Sequence, residues 1–201
     1  METAKIISVN VGQPRVIRYT GTKPIYSSIG KLPIAGDSVL LTYTNLAGDQ
    51  QVDTKPKADG RQLHGGNAKA VYVYPFEHYD GWYHELENKL LTVPSFGENL
   101  TLEGLTEGEV HIGDVWQWGG ALLEVSSPRQ PCFKLRYFLG IDDIEEHMWR
   151  NGRCGWYLRV IEPGIVPTGG VIQVLEVKPE SPTIAQVFAS KTPERFRPTQ
   201  E

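Results

Sequence analysis

The sequence predicts a mainly β protein: a barrel-like, closed or sandwiched sheet carrying two or three short helices. Three observations point there. Short runs rich in β-branched and aromatic residues recur: "AKIISVNV", "DSVLLTY", "KAVYVYPF", "DVWQW", "ALLEVS", "FKLRYFL", "GWYLRVI" and "GVIQVLEV". Glycine (21) and proline (14) lie scattered between these runs, where they act as turn punctuation. Within two runs, "VWQW" and "VIQVLEV", apolar and polar residues alternate as in a half-buried strand. Many short strands must close on themselves or stack on a second layer to cover their apolar face.

The strands have a recurring lead-in. "IAGDSVLL", "HIGDVWQW" and "PTGGVIQV" each place Gly-Asp or Gly-Gly directly before a strand. Glycine reaches positive φ, and aspartate can bond its own backbone two residues on. These are turn devices, and their irregular spacing fits neither a solenoid nor a propeller.

The helices come next. In "FEHYDGWYHELENKL", Phe76, Tyr79, Tyr83, Leu86 and Leu90 recur at steps of three and four, one apolar stripe. In "IDDIEEHMWRNG", Ile141, Ile144 and Met148 share a face, acids fill the first turns and Gly152 supplies the stop. A third helix is predicted from Ser181 as N-cap, with Pro182 at the first position and Ile184, Val187 and Phe188 following. The chain of 201 residues then reads as a barrel domain over 1–178, with a short helix and polar tail over 179–201.

Composition narrows the function classes. Charged residues make up 22% and the net charge is −4, which argues against wholesale nucleic-acid binding. No stretch approaches the roughly 18 apolar residues of a membrane span. The polar N-terminus does not read as a signal peptide. Two cysteines, Cys132 and Cys154, make no disulfide framework, so a reducing cytoplasm is expected; a bridge between them stays open.

Candidate chemistry centres on "SSPRQPCFKLRY", residues 126–137. Arg129 lies three positions before Cys132 and Lys134 two after, and nearby cations favour a thiolate. Pro131 cannot donate to a ladder, so the thiol is expected at a strand start or bulge. The opposing reading is a small, inert core residue. In "HGGNAKAVYVY", Gly65 and Gly66 after His64 would let backbone amides approach an anion, or simply make a tight turn. Asn99 in "SFGENLTLEGL" carries both a donor and an acceptor for a heterocycle, or caps its own loop. Ser28 and Lys31 in "YSSIGKLPI" suit a phosphate without forming a Walker loop, though serines beside glycine are also ordinary turn composition. The five histidines show no HExxH, and no CxxC, GxSxG or dinucleotide fingerprint is present.

In order along the chain, "VNVG", "IGKLPI", "LAGDQQVD", "HGGNAKAVYVYP", "FGENLTLEGL", "VHIGDVWQWGGALLEVSSPRQPCFKL" and "GRCGWYLRVIEPG" resemble the MOSC-domain family of YiiM-like type, related to the C-terminal domain of molybdenum-cofactor sulfurases. The resemblance implies a β-barrel-rich fold. It also implies a molybdenum cofactor, a mononuclear metal carried by a pyranopterin, with the cysteine of the PRxPC segment, here Cys132, as metal ligand and catalytic residue. Arg129 would fork onto phosphate or pterin oxygens, Asn99 would lie near the cofactor, and His64, Gly65 and Gly66 would form a wall of the cleft. Ser28 and Lys31 match the phosphate-side segment. The implied reaction is reduction of N-hydroxylated small molecules such as N-hydroxylated purine analogues. Because no iron–sulfur run of cysteines exists, electrons would come from a separate reductase. Other readings are a cofactor or sulfur carrier, a pyridoxal phosphate protein with a Schiff-base lysine, and a plain β-barrel interaction module with an inert Cys132. A homodimer is left open. Chains of this type often continue into a small three-helix unit, of which only the helix from Ser181 is visible here.

Overall fold

The computed structural model describes residues 3–55, 65–87 and 89–197. In chain order the strands are β1 (Thr3–Val11), β2 (Arg15–Thr20), β3 (Lys23–Ser27), β4 (Leu32–Pro33), β5 (Ser38–Leu41), β6 (Val71–Pro75), β7 (Leu100–Glu103), β8 (Val115–Trp118), β9 (Ala121–Pro128), β10 (Trp156–Glu162), β11 (Gly164–Pro167) and β12 (Val171–Glu176). The helices are α1 (His78–Glu85), α2 (Phe133–Leu139), α3 (Ile144–Asn151) and α4 (Ile184–Lys191).

A barrel closes in the order β12-β8-β9-β10-β6-β7-β1, sealed where Ala4 of β1 pairs Ile172 of β12. Every neighbouring pair is antiparallel except β6–β7. Parallel neighbours cannot be joined by a tight hairpin, and the crossover between them holds α1. Two small sheets, β2–β3 and β5–β11, stand outside the barrel.

Alternation along the strands fills the interior. Trp116 and Trp118 of β8, Leu123 and Val125 of β9, and Trp156 and Leu158 of β10 are all fully buried. Trp116 and Trp156 meet edge to face, 5.9 Å between centroids and 86° between planes, a favoured aromatic geometry.

Strand β6 breaks the alternation because both its faces are covered. Val71 and Val73 join the barrel core. Tyr72 and Tyr74 join a second apolar cluster with Tyr79 and Trp82 of α1, Phe96, Leu135 of α2, and Ile144 and Met148 of α3. Helices α1–α3 therefore form a layer on one side of the barrel. Helix α4 packs Ile184 and Phe188 into the barrel cluster instead. Its capping box, Thr183 with Gln186, satisfies amides at its start.

The chain is mainly β with a closed barrel, as expected, and three details differ from the sequence reading. "FKLRYFL" is helix α2, not a strand, because Leu135, Phe138 and Leu139 lie three and four residues apart and meet the second cluster together. In α1 the buried residues are Tyr79 and Trp82, while Phe76 and Leu90 are exposed. The helix is only 8 residues long, too short to carry the five-residue stripe. The last helix is capped by Thr183 rather than Ser181. The short strands β2, β3, β4, β7 and β11 are elements the sequence reading passed over.

Phe96 is fully buried and stacked on Tyr74 at 4.3 Å. Phe96→Ala is expected to lower the unfolding free energy by about 3–5 kcal/mol in a urea titration. A loss below about 1 kcal/mol, less than a typical core truncation, would show that the helical layer is not part of the cooperative unit.

Candidate functional site

A cavity of about 530 Å³ opens along the seam between the barrel wall and the helical layer, within the size range of small-molecule sites. Its walls come from Tyr72 of β6, Tyr157 of β10, the run Ser127–Lys134 leaving β9, the Ser27–Ile29 turn, the Asp49–Val52 loop and Asn99. Of the residues singled out in the sequence, Cys132, Arg129, Asn99, Gly65, Ser28 and Lys31 all line it, although they span more than a hundred positions. Gly66, expected to form part of the wall, is not among the lining residues, and His64 lies outside the described residues.

Cys132 is half-buried and unbridged, as is the fully buried Cys154. It sits at the N-cap of α2 with extended backbone, φ −140° and ψ 158°. The expectation of a strand start or bulge is thus corrected. Strand β9 ends at Pro128, and Cys132 turns the chain into a helix, its carbonyl accepting from the Leu135 amide at 2.9 Å. Lys134 reaches the same cavity from the first turn of α2, held by the Tyr26 carbonyl at 2.8 Å and by the Asp53 carboxylate.

Arg129 is 6% exposed. Its guanidinium lies 5.1 Å from the Tyr72 ring centroid, and one nitrogen is 3.7 Å from the Met148 sulfur. Among the described residues no carboxylate pairs with it. Burial works against its charge, which the Tyr72 ring face and a hydrogen bond to Tyr157 offset. Burial also pushes the Tyr72 and Tyr157 hydroxyls up, opposed in both by Arg129. These phenols are therefore neutral hydrogen-bonding groups.

A tight polar network closes the opposite wall. The Asp49 carboxylate accepts from Lys31, from the Gly12 amide at 2.8 Å and from Asn99 Nδ2 at 2.8 Å. Asn99 Oδ1 accepts from the Tyr72 amide at 3.1 Å, and Asn99 Nδ2 also reaches the Asn10 carbonyl at 3.2 Å. Burial lowers the Lys31 pKa below the usual lysine value, with Asp49 pulling the other way. Ser28 donates its hydroxyl to the Gln50 carbonyl. The donors of Ser28, Lys31 and Asn99 are therefore engaged inside the wall, while Arg129 has no carboxylate partner among the described residues.

Gly65 sits at φ +64°, where a Cβ would come within 2.5 Å of Gln51 Oε1. Only glycine lets this loop close over Gln51, which accepts from the Gly66 amide at 2.7 Å and donates to the Lys69 carbonyl at 3.1 Å.

Among the described residues, Lys31, Lys69, Arg129, Lys134 and Lys191 line the cavity together with the Asp49 carboxylate, and Asp53 pairs with Lys134 from its edge, in a chain of net charge −4. Such focusing of one sign in a low-dielectric cleft attracts anions. Among the described residues no three His, Cys, Asp or Glu converge as a metal cage. Sequence reading gave no role to Asp49, Tyr72 or Tyr157. Asp49 follows a glycine and reads as a turn residue, and both tyrosines read as strand composition. The only sequence signal for Asp49 is its place in "LAGDQQVD".

Asp49→Asn would strand a buried ammonium, and a loss of about 3–5 kcal/mol in stability is expected at neutral pH. Without the carboxylate, the folded-state pKa of Lys31 falls further below the unfolded value of about 10.4. The native state then binds fewer protons than the unfolded state between those two values, so the deficit shrinks as pH rises through that window. Urea titrations from pH 7 to 10 check this; a deficit that grows with pH would contradict the pairing.

Residues 60–173 match the MOSC domain family model. The chain is 39% identical over 169 residues to Protein YiiM of Escherichia coli strain K12, covering 83% of this chain and 71% of that one. It is 36% identical over 141 residues to a protein named Reductase from Gibberella moniliformis, covering 69% of this chain but 24% of that longer protein. The solved structure of YiiM from Geobacillus stearothermophilus superposes with a TM-score of 0.73 at 30% identity, over 96% of this chain and 85% of that one. With the matched segment spanning the cavity wall from Gly65 to Tyr157, the chain belongs to the MOSC-domain family and is a YiiM-like member of it.

Proposed function

We propose that the protein binds the molybdenum cofactor in this cavity through Cys132 and reduces N-hydroxylated small molecules with electrons from a separate reductase. The observation that carries this is Arg129: a buried guanidinium with no carboxylate partner among the described residues, three positions from the thiol on the same cavity wall. A buried charge held only by ring faces, a phenol and a thioether, with no opposite charge, is costly to desolvate. A fold that retains one beside an open cavity is built for an anion supplied from outside, and a phosphorylated pterin is such an anion.

The remaining donor set fits as well. Thiolate is the soft ligand that molybdenum takes from a protein. Arg129 offers a planar fork to phosphate or pterin oxygens. Tyr157 and Tyr72, 5.4 Å apart between ring centroids, offer flat faces and hydroxyls beside it. When bound, the cofactor supplies the redox step. The chain holds it, keeps Arg129 charged and presents the substrate to the thiol side of the cavity. The overall change is cleavage of the N–O bond: two electrons and two protons enter, and the amine and water leave. The reductase name of the fungal relative agrees with this direction.

Two measurements test the reading. Protein from a host that makes the cofactor should contain molybdenum by elemental analysis, and protein from a host that cannot should lack it. Cys132→Ala should abolish the metal while keeping the native circular dichroism spectrum; normal metal content in that variant defeats the ligand assignment. The loaded native protein should turn over an N-hydroxylated purine with reduced methyl viologen, whereas a pure carrier would hold metal without turnover.

Arg129→Met should separate binding from folding. Loss of a charge-assisted bond worth about 1.5–3 kcal/mol weakens cofactor retention by about 10- to 150-fold. The cofactor-free variant should be at least as stable as the native protein in urea, since an unpaired buried charge is removed. Unchanged retention would remove Arg129 from the site.

A further inference from the structure

We propose that the β2–β3 hairpin, with the flank of α2 beneath it, is the docking surface for an acidic electron-donor protein. The proposal rests on the redox reading above and names where its partner lands.

Charge is segregated on this element. No acidic residue occurs between Glu2 and Asp37, although the whole chain is net negative. The hairpin carries Arg15, Arg18 and Lys23, all exposed, and among the described residues none of them has an acidic partner. Two instead lie over aromatic rings of α2. The Arg15 guanidinium lies 5.7 Å from the Phe138 centroid and that of Arg18 lies 4.7 Å from Tyr137. Gly30 makes room for Arg15, since a Cβ there would come within 1.8 Å of its guanidinium. Stacking fixes the charges in place while leaving guanidinium edges to bond a partner's carboxylates.

The hairpin also exposes apolar surface that no core accounts for. Strand β2 has no buried residue, and Tyr19 and Tyr26 are 63% and 51% exposed. Tyrosine and arginine are the residue types that dominate binding energy at protein interfaces.

Position makes this surface relevant to electrons. The Tyr26 carbonyl accepts from Lys134, two residues past Cys132, and the next residue, Ser27, lines the cavity. Tyr137, under Arg18, meets Phe133 edge to face at 5.7 Å. Phe133 adjoins Cys132 and also lines the cavity. A donor seated on the hairpin is therefore one aromatic contact from the thiol's neighbour. Beyond α2 the sign reverses: Arg136 pairs with Glu145 at 3.5 Å, and Asp142, Asp143 and Glu146 follow nearby in the chain. This edge repels an acidic partner and sets its orientation.

The partner is a reduced flavin or iron–sulfur protein; the two electrons consumed at the N–O bond come in two successive one-electron dockings where the donor carries a single two-iron, two-sulfur cluster. Flavodoxin and a plant-type ferredoxin, two acidic donors of unrelated fold, serve as probes. Titrating either into the isotope-labelled protein at low ionic strength should shift backbone amide resonances of residues 15–27 and 133–137. The shifts should vanish in Arg18→Glu/Lys23→Glu and at high salt. With donor-driven turnover of an N-hydroxylated purine, the double variant should need about tenfold more donor for half-saturation, as loss of electrostatic steering implies, while turnover with reduced methyl viologen is unchanged. Shifts elsewhere, none with either donor, or equal binding by the variant would overturn the docking surface. So would tighter binding of a single-stranded oligonucleotide to the same residues. Absence of methyl viologen turnover in the native protein would overturn the redox reading alone, and the resonance map would still decide the surface.

Discussion

Strand β6 is buried on both faces, and that single constraint organises the molecule. Its valines, Val71 and Val73, belong to the barrel interior, while Tyr72 and Tyr74 anchor the helical layer. Parallel pairing with β7 forces the crossover that holds α1. The Tyr74 ring carries Phe96 flat against it, and Trp82 of α1 donates to the Tyr74 hydroxyl. Because aromatic packing of this kind is dense and interlocked, the helical layer cannot shift relative to the barrel without disturbing the cavity between them.

That cavity is defined by two contrasting electrostatic arrangements. On one wall Lys31, Asp49, Asn99 and the Gly12 amide satisfy one another, so the wall is rigid and locally neutral. On the other wall Arg129 is buried against Tyr72 and Tyr157 without a carboxylate among the described residues. The first arrangement tolerates burial because its groups are paired. The second tolerates burial only through ring faces, hydroxyls and sulfur, so an anion from outside has the most to gain there. Cys132 opens between the arginine and the positively charged first turn of α2. Cation placement thus separates a structural half of the site from a half suited to ligand.

Much of the barrel was legible in the sequence because period-two alternation reports directly on burial. "VWQW" and "VIQVLEV" became β8 and β12, and Ile144, Met148 and Gly152 marked α3 and its end. "FKLRYFL" was not legible. Its first five residues, Phe133 to Tyr137, alternate apolar and polar as a strand would, and only the apolar surface offered by α3 and β6 selects the helix. The candidate site was legible in its types and not in its partners. Cys132 and Arg129 stood out because a lone thiol near arginine is chemically marked. Asp49, Tyr72 and Tyr157 carried no such mark.

The sequence alone determined which segments could be strands, where turns interrupt them, and that a thiol with cations nearby follows one strand. It also determined that the first part of the chain carries no acid between Glu2 and Asp37. The tertiary structure decided which of those charges are spoken for. Lys31 meets a carboxylate 18 positions away and Asn99 meets the same one from 50 positions away, while Arg129 meets no carboxylate among the described residues. The physical reason is range: pattern and propensity act within a few residues, whereas desolvation and charge pairing depend on neighbours that only barrel closure brings together.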